Sequence, residues 1–192
     1  MIDGSRRLVV GISGASGAIL GIRLLEVLHG LDVETHLVIT SAARQTIQSE
    51  TSWRVEDVMA LADAVYGDGE IGARIASGSY PCQGMIVMPC SVKTLSAIAN
   101  SFADSLLVRA ADVTLKEGRP LILAVRETPL HRGHLRLMDL AARAGAVLFP
   151  PVPAFYDRPQ NVDELVKQYL GRVLARVGIQ NDLYATWEGL DH

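Results

Sequence analysis

A doubly wound α/β fold on a mainly parallel sheet is what this chain predicts, and three observations predict it. Short, nearly uninterrupted apolar runs (LVVGI, GMIVM, LILAV, AVLF) alternate with amphipathic helical patterns, the rhythm of strands buried on both faces and joined by crossover helices. The first run ends in the glycine- and serine-bearing stretch GISGASG, Gly11 to Gly17, directly ahead of a helical pattern. Out-of-place polar residues follow the strand-like runs, where ligands gather in open parallel sheets. The expectation is a Rossmann- or flavodoxin-like single domain over residues 1–192, with a C-terminal helix.

RRLVVGIS reads as the first strand. ASGAILGIRLLEVLHG then sets Ile19, Ile22, Leu24, Leu25 and Leu28 at helical spacing and stops at Gly30. In VETHLVIT, Val33, Thr35, Leu37 and Ile39 alternate with Glu34, His36 and Val38, a strand pattern, and a helix follows from Ala42 through Thr51. WRVEDVMALADAV reads as helical, GMIVMPCS as strand, VKTLSAIANSFADSLLVRAADVTLKEG as helical, and RPLILAVRE as strand. GHLRLMDLAARAG, AVLFPP and VDELVKQYLGRVLARVG complete the series as helix, strand and C-terminal helix. GDGEIGARIASGSYPCQG is the best candidate for a long loop, and FPPVPAFYDRP is a proline-rich connection; neither is long enough to separate the chain into domains.

Composition narrows the function classes. With 49% hydrophobic residues the chain can fill a substantial core, and 18 basic against 21 acidic residues leave a net charge of −3. That balance offers no global attraction to nucleic acid or to an anionic membrane. Cys82 and Cys90 are too few for a disulfide framework and lack the spacing of a zinc site, so a reducing cytoplasm fits. MIDGSRR lacks the apolar region of a signal peptide, and no later stretch has the uncharged length of a membrane span. The expectation is a cytoplasmic protein with no nucleic-acid or membrane partner.

The residues after the strands are Ser13, Gly14, Ala15 and Ser16; Thr40; Pro89, Cys90 and Ser91; Arg126 and Glu127; and, in the last loop, Tyr156. GISGASG lacks both the G-x-G-x-x-G spacing and the lysine of a phosphate-binding P-loop, so alone it is equally a turn or an anion cradle. PCSVKTL is equally a helix start capped by Ser91, with Cys90 as a small buried neighbour. Lys116, Arg119, Arg126 and Arg172 have solvated surface charge as their ordinary fate. Arg126 resists that reading because it ends an apolar strand, and Glu127 is either its partner or a proton carrier. His131 and His134, with Asp139 nearby, raise a metal site, but no third ligand supports it and the favoured reading is no metal. Trp53 and Trp187 are by default packing residues.

Taken together and in order, LVVGISGASGA, ETHLV, SAARQT, ASGS, PCSVKTLS, RAADVTLKEGRPLIL, RETPLH, PPVPAFYDRPQ and YATWEG resemble the UbiX family of flavin prenyltransferases nearly end to end. The resemblance implies transfer of a dimethylallyl group from dimethylallyl monophosphate to reduced FMN without a metal. The product, prenylated FMN, is the cofactor of UbiD-type decarboxylases, which serve ubiquinone biosynthesis and aromatic-acid breakdown. It also implies a homo-oligomer, generally a dodecamer, with active sites at subunit junctions.

By the same resemblance, Gly14, Ala15, Ser16 and Thr40 hold FMN near its phosphate and ribityl chain, and Ser91, Val92, Lys93, Thr94 and Arg109 complete the flavin site. Lys116, Arg126, Tyr156 and Arg172 match the family's grip on the prenyl phosphate. A monophosphate is a poor leaving group, and fixed cations and a phenol aimed at its developing charge are what a metal-free site requires. Ser16, Glu50 and Glu127 match a proton relay. Ala76 corresponds to a small residue beside the flavin, and Trp187 to an aromatic border of the prenyl pocket, where a ring face favours allylic cation character. Thr40 stands where serine is common, and Arg172 where some members carry lysine; both keep the needed group. Lys93 varies among relatives.

Two rivals share the fold. A flavin-dependent decarboxylase of cysteine-containing substrates would carry P-A-S-A-N-T and P-x-M-N-x-x-M-W motifs and a catalytic histidine, whereas this chain has PCSVKT, no such clamp, and no histidine between His36 and His131. A non-catalytic FMN carrier would not need Lys116, Arg126, Tyr156 and Arg172 together. Direct decarboxylation of an aromatic acid is the remaining alternative.

Overall fold

Six parallel strands form one sheet in a computed structural model that describes residues 6–187 and Gly189. They are β1 (Arg7–Ile12), β2 (Glu34–Ile39), β3 (Ala64–Tyr66), β4 (Gly84–Cys90), β5 (Leu121–Val125) and β6 (Val147–Leu148), in spatial order β3-β2-β1-β4-β5-β6. That is the Rossmann order, and its direction of winding reverses between β1 and β4. The helices are α1 (Ala18–His29), α2 (Ser41–Glu50), α3 (Val55–Met59), α4 (Val92–Ala99), α5 (Leu106–Lys116), α6 (Arg132–Arg143) and α7 (Val162–Arg176).

Side chains alternate across each strand, and both faces are covered. Leu8, Val10, Ile12, Ile86, Met88, Ile122 and Ala124 join one core with α1 and α7, while Val9, Met85, Val87, Leu121, Leu123 and Val125 join the other with α4 and α5. This explains why β2 does not behave as a half-exposed strand despite its alternating letters: every residue from Thr35 to Ile39 is buried. The polar His36 is fully buried and satisfied there. One ring nitrogen meets the Tyr66 hydroxyl at 2.9 Å, and the other meets Glu34 at 3.0 Å and Tyr80 at 3.1 Å.

The structure departs from the expected elements in two places. The stretch from Trp53 to Val65 is not one helix: α3 ends at Met59, and the chain re-enters the sheet as β3. Asp63 accepts hydrogen bonds from the backbone and hydroxyl of Thr35, at 2.7 and 2.9 Å, and so sets the start of that strand. The stretch from Val92 to Lys116 is two helices. Ser101 takes a left-handed conformation (φ 51°), and the Phe102 and Ser101 amides return to the Ala97 and Ile98 carbonyls, closing a Schellman end to α4. Asp68 then caps α5, its carbonyl and carboxylate accepting from the Leu106 and Leu107 amides.

Gly21 sets how closely α1 lies on β4, because a Cβ there would stand 2.4 Å from the Met88 carbonyl oxygen. Backbone cannot yield as a flexible side chain can, so Gly21→Ala is expected to destabilise the fold by about 1–3 kcal/mol. A lowered denaturation midpoint and Tm would register it; an unchanged midpoint would refute this packing constraint.

Candidate functional site

The reversal between β1 and β4 opens a crevice beyond their carboxyl ends, and the residues of that crevice are fixed by short polar contacts. Ser13 is fully buried; its hydroxyl donates to the Pro89 carbonyl at 2.9 Å and accepts from the Ser91 amide at 2.8 Å. Proline has no N–H to donate, and the β4–β5 register shifts between Val87 and Cys90. The serine side chain therefore adds a bond to the Ser91 amide that the single backbone bond from the Ser13 amide to Pro89 does not supply. Ser13 stood among the polar residues at the strand ends in the sequence, but nothing there distinguished it from Ser16.

Three helices start at this edge, and their first-turn amides are spent differently. At α1 the amides of Gly17 and Ala18 donate to the Glu50 carboxylate at 2.8 and 3.3 Å, and Gly17 needs its glycine for φ 95°. Burial works to raise the Glu50 pKa, but donation from Gly17, Ser16 and Ala18, together with the charge of Arg126, outweighs it and holds the carboxyl below its ordinary 4.5. At α2 and α4, the Thr40 and Ser91 hydroxyls cap Ala43 and Thr94, at 3.1 and 3.3 Å. The amides of Ser41, Ala42, Val92 and Lys93 precede the first intrahelical bond and remain for a ligand or water. This donor set, two helix N-termini with flanking hydroxyls, fits a flavin phosphate and ribityl chain.

Gly14 lies against the start of α2, where a Cβ would come 2.4 Å from that of Ala42, so its lack of a side chain is required by packing. Ala15 closes the loop by donating to the Ser13 carbonyl at 2.8 Å. Arg109 donates to the Ala76 carbonyl at 3.3 Å and pairs with Asp112 at 3.1 Å, so these two expected site residues are held together. Cys90 is a buried neighbour of this edge, its thiol pushed up to about 12 by burial.

Beside the loop lies a pocket of about 300 Å³. Ser16, Arg126 and Tyr169 are its polar side chains, the Tyr169 hydroxyl donating to the Phe149 carbonyl, and Leu20, Val152, Leu165 and Val166 are among its apolar walls. The Arg126 amide is anchored to the Cys90 carbonyl at 3.0 Å, which puts this residue at the mouth of the crevice. Glu127 accepts from the Thr128 amide at 3.0 Å.

Other expected residues form separate groups. Tyr156 and Trp187 meet edge to face, centroids 5.8 Å apart, and Trp187 is exposed, whereas Trp53 packs on the core. The Arg172 guanidinium lies over the Phe149 ring at 5.8 Å. Lys116 ends α5 at the opposite, amino-terminal edge of the sheet, paired with Glu117 at 2.7 Å. Within one chain it does not share the crevice with Arg126. Arg119, also near that edge, binds the Gly78 and Tyr80 carbonyls and is a structural clamp. His131 caps α6 through the Gly133 amide and lies against His134; among the described residues no cluster of three metal-ligating groups occurs. No helix among them is long and apolar enough to cross a membrane.

Comparison with known proteins agrees with this geometry. The Flavoprotein family model matches residues 2–151. Flavin prenyltransferase UbiX of Escherichia coli (strain K12) is 57% identical over 187 residues, 96% of this chain and 99% of that protein. The crystal structure of AnUbiX (PadA1) in complex with FMN and dimethylallyl pyrophosphate superimposes with a TM-score of 0.95 at 48% identity, covering 97% of this chain and all of that one. A dodecameric FMN-dependent UbiX-like decarboxylase from Escherichia coli O157:H7 superimposes at 0.92, with 46% identity over 95% of this chain and 100% of that chain.

Two outcomes test the site. Ser13→Ala leaves the Ser91 amide without its buried acceptor, while Pro89 keeps the Ser13 amide as donor; the expected cost is about 1–3 kcal/mol in denaturant, with weakened FMN retention. Undiminished stability would contradict the bridging role. Glu50, whose folded pKa is depressed, contributes stability that is present above pH 4.5 and lost as pH falls through the folded value. The stability gap between the parent and Glu50→Gln should therefore shrink on acidification below pH 4.5; a gap that widens would be inconsistent with a carboxylate held by the α1 amides.

Proposed function

This chain belongs to the UbiX flavin prenyltransferase family, and from that membership we propose that it transfers a dimethylallyl group from dimethylallyl monophosphate to reduced FMN. The observation that carries the reading is the pocket beside GISGASG, with a cation and a hydroxyl among short apolar walls. That chemistry suits a small ligand with an anionic head and an apolar tail.

When bound, reduced FMN supplies the electron-rich nucleophile, so the chain needs no nucleophilic side chain of its own. Its residues orient the reactants and stabilise the departing phosphate. Ser91, Val92, Lys93, Thr94, Thr40 and the Gly14–Ser16 loop would hold the flavin through hydroxyls and amides. Arg126 would take the phosphate as a fork of donors. Ser16 and Glu50, whose carboxyl the Ser16 hydroxyl helps to hold below its ordinary pKa, would carry the proton that the reaction displaces, with Glu127 beside Arg126.

Lys116, Tyr156 and Arg172 complete the grip on this reading, and Lys116 would come from a neighbouring copy, as a dodecamer with shared sites allows. The chain is read as one flavin-binding domain acting in the cytoplasm and delivering prenylated FMN to a UbiD-type decarboxylase. AnUbiX, solved with FMN and dimethylallyl pyrophosphate, supports the pairing of ligands.

Incubation with reduced FMN and dimethylallyl monophosphate under anaerobic conditions should return flavin carrying one added C5 unit by mass spectrometry. Arg126→Ala and Tyr156→Phe should lower kcat/KM for the prenyl phosphate, by about a hundredfold for the arginine, while FMN retention changes little. Recovery of unmodified FMN alone would defeat the transferase reading. Turnover of an aromatic acid without the prenyl phosphate would favour direct decarboxylation.

A further inference from the structure

The contact between Tyr156 and Trp187 joins two segments far apart in the chain, and the same turn of α7 holds both. On one side the buried Gln168 side chain donates its amide N–H to Asp157, the residue next to Tyr156. A buried amide needs a partner, and this one is supplied by the loop itself. On the other side the chain reverses after α7 at Gly178 (φ 75°), and the Ile179 amide returns to the Leu174 carbonyl. The tail then runs back over the helix. Asn181 Nδ2 donates to the carbonyls of Gly171 and Ile179 at 3.0 and 3.1 Å, and Asn181 Oδ1 accepts from the Leu183 amide at 3.2 Å.

Gly171 is the saddle for that crossing. A Cβ there would lie 2.7 Å from Tyr184 Cδ1, 2.8 Å from Asn181 Oδ1 and 3.0 Å from Leu183 Cβ. Any side chain at this position lifts the tail from the helix at three points. Three residues toward the amino end, Gln168 meets the loop of Tyr156, and the loop, helix and tail enclose a groove of about 360 Å³ lined by Asp157, Gln168, Leu183 and Tyr184 among others.

We propose that Gln168 and Gly171 are positioning residues for the prenyl pocket: Gln168 ties down the loop bearing Tyr156, Gly171 admits the tail bearing Trp187, and so the two rings meet. The inference rests on reading that aromatic pair as the pocket's border. Neither residue touches substrate. Each acts through a ring that does, so loosening either should weaken prenyl-phosphate binding and leave the flavin's own contacts alone.

The test uses the assembled, flavin-loaded protein in a Trp53→Phe background, where Trp187 is the remaining tryptophan. Gly171→Ala and, as a milder change on a partly exposed residue, Asn181→Ala should each raise acrylamide quenching of Trp187. Both should raise KM for dimethylallyl monophosphate by about fivefold or more, with kcat and FMN affinity within about threefold of the parent. Gln168→Leu should give the same split in KM. Unchanged quenching, or loss of FMN affinity in step with KM, overturns the proposal, since a purely structural role would move both ligands together. If the parent forms no prenylated flavin, the transferase reading fails in the parent's own mass spectrum. The quenching result then still decides whether Gly171 seats the tail, and the substrate half of the inference falls with that reading.

Discussion

Between β1 and β4 the sheet changes its direction of winding, and the two loops that leave it there are joined by one backbone bond, from the Ser13 amide to the Pro89 carbonyl at 3.2 Å, and by the Ser13 side chain. Pro89 brings no donor to that junction, and the pairing of β4 slips beside it. A single buried hydroxyl, that of Ser13, bridges the carbonyl of Pro89 and the amide of Ser91. Three parts of the site adjoin this bridge. Ser91 is the cap of α4, Cys90 anchors the amide of Arg126, and the Gly14–Ser16 loop begins at Ser13. A small polar group in a dry place matters at this junction because the alternative, an unpaired buried amide, is costly.

The electrostatics of the edge follow from what the first helix does with its amides. In many folds of this strand order the start of the first helix receives a ligand's phosphate. Here Glu50 reaches back and takes the Gly17 and Ala18 amides, so the positive end of α1 is neutralised from within the chain. What the edge still offers an anion is the first amides of α2 and α4 and the charge of Arg126. A carboxylate fixed this way also lies next to the Ser16 hydroxyl and in the field of Arg126. The result is an acidic group beside a cationic pocket, an arrangement in which one group can move a proton while the other steadies a phosphate.

Much of this architecture was legible in the letters because β1, β4 and β5 are nearly uninterrupted apolar runs and α1, α5, α6 and α7 each run to a glycine just past the last turn. β3 was not, since Ala64 and Val65 continue the helical spacing of the preceding residues, whereas in the fold Ala64, Val65 and Tyr66 pair with β2 and Asp63 binds Thr35 at the strand's start. The break between α4 and α5 was hidden for a related reason: Ser101 in a left-handed turn leaves no mark that glycine would have left. The expected site residues were named as a set through family motifs, and which of them one chain brings together was not legible. GISGASG offered a turn and an anion cradle as equal readings, and the loop proves to serve both packing, through Gly14 against Ala42, and polar presentation, through Ser16. Ser91 is likewise both the helix cap that local grammar suggested and a rim residue of the crevice.

Lys116 leads furthest beyond a single chain. It closes the last turn of α5, a helix whose start, at Leu107, packs on Gly11 near the carboxyl end of β1 and whose end delivers the chain to the beginning of β5. The strands are parallel, so these two ends lie at opposite edges of the sheet, and no rotamer of a lysine spans that length. A role for Lys116 at a prenyl phosphate therefore requires the amino-terminal edge of one copy to meet the carboxyl-terminal edge of another. Its half-exposed side chain, paired with Glu117, can exchange that partner for a phosphate at modest cost. A pocket finished in this way holds its full complement of charge only in the assembled particle, which ties catalysis to oligomerisation through geometry alone.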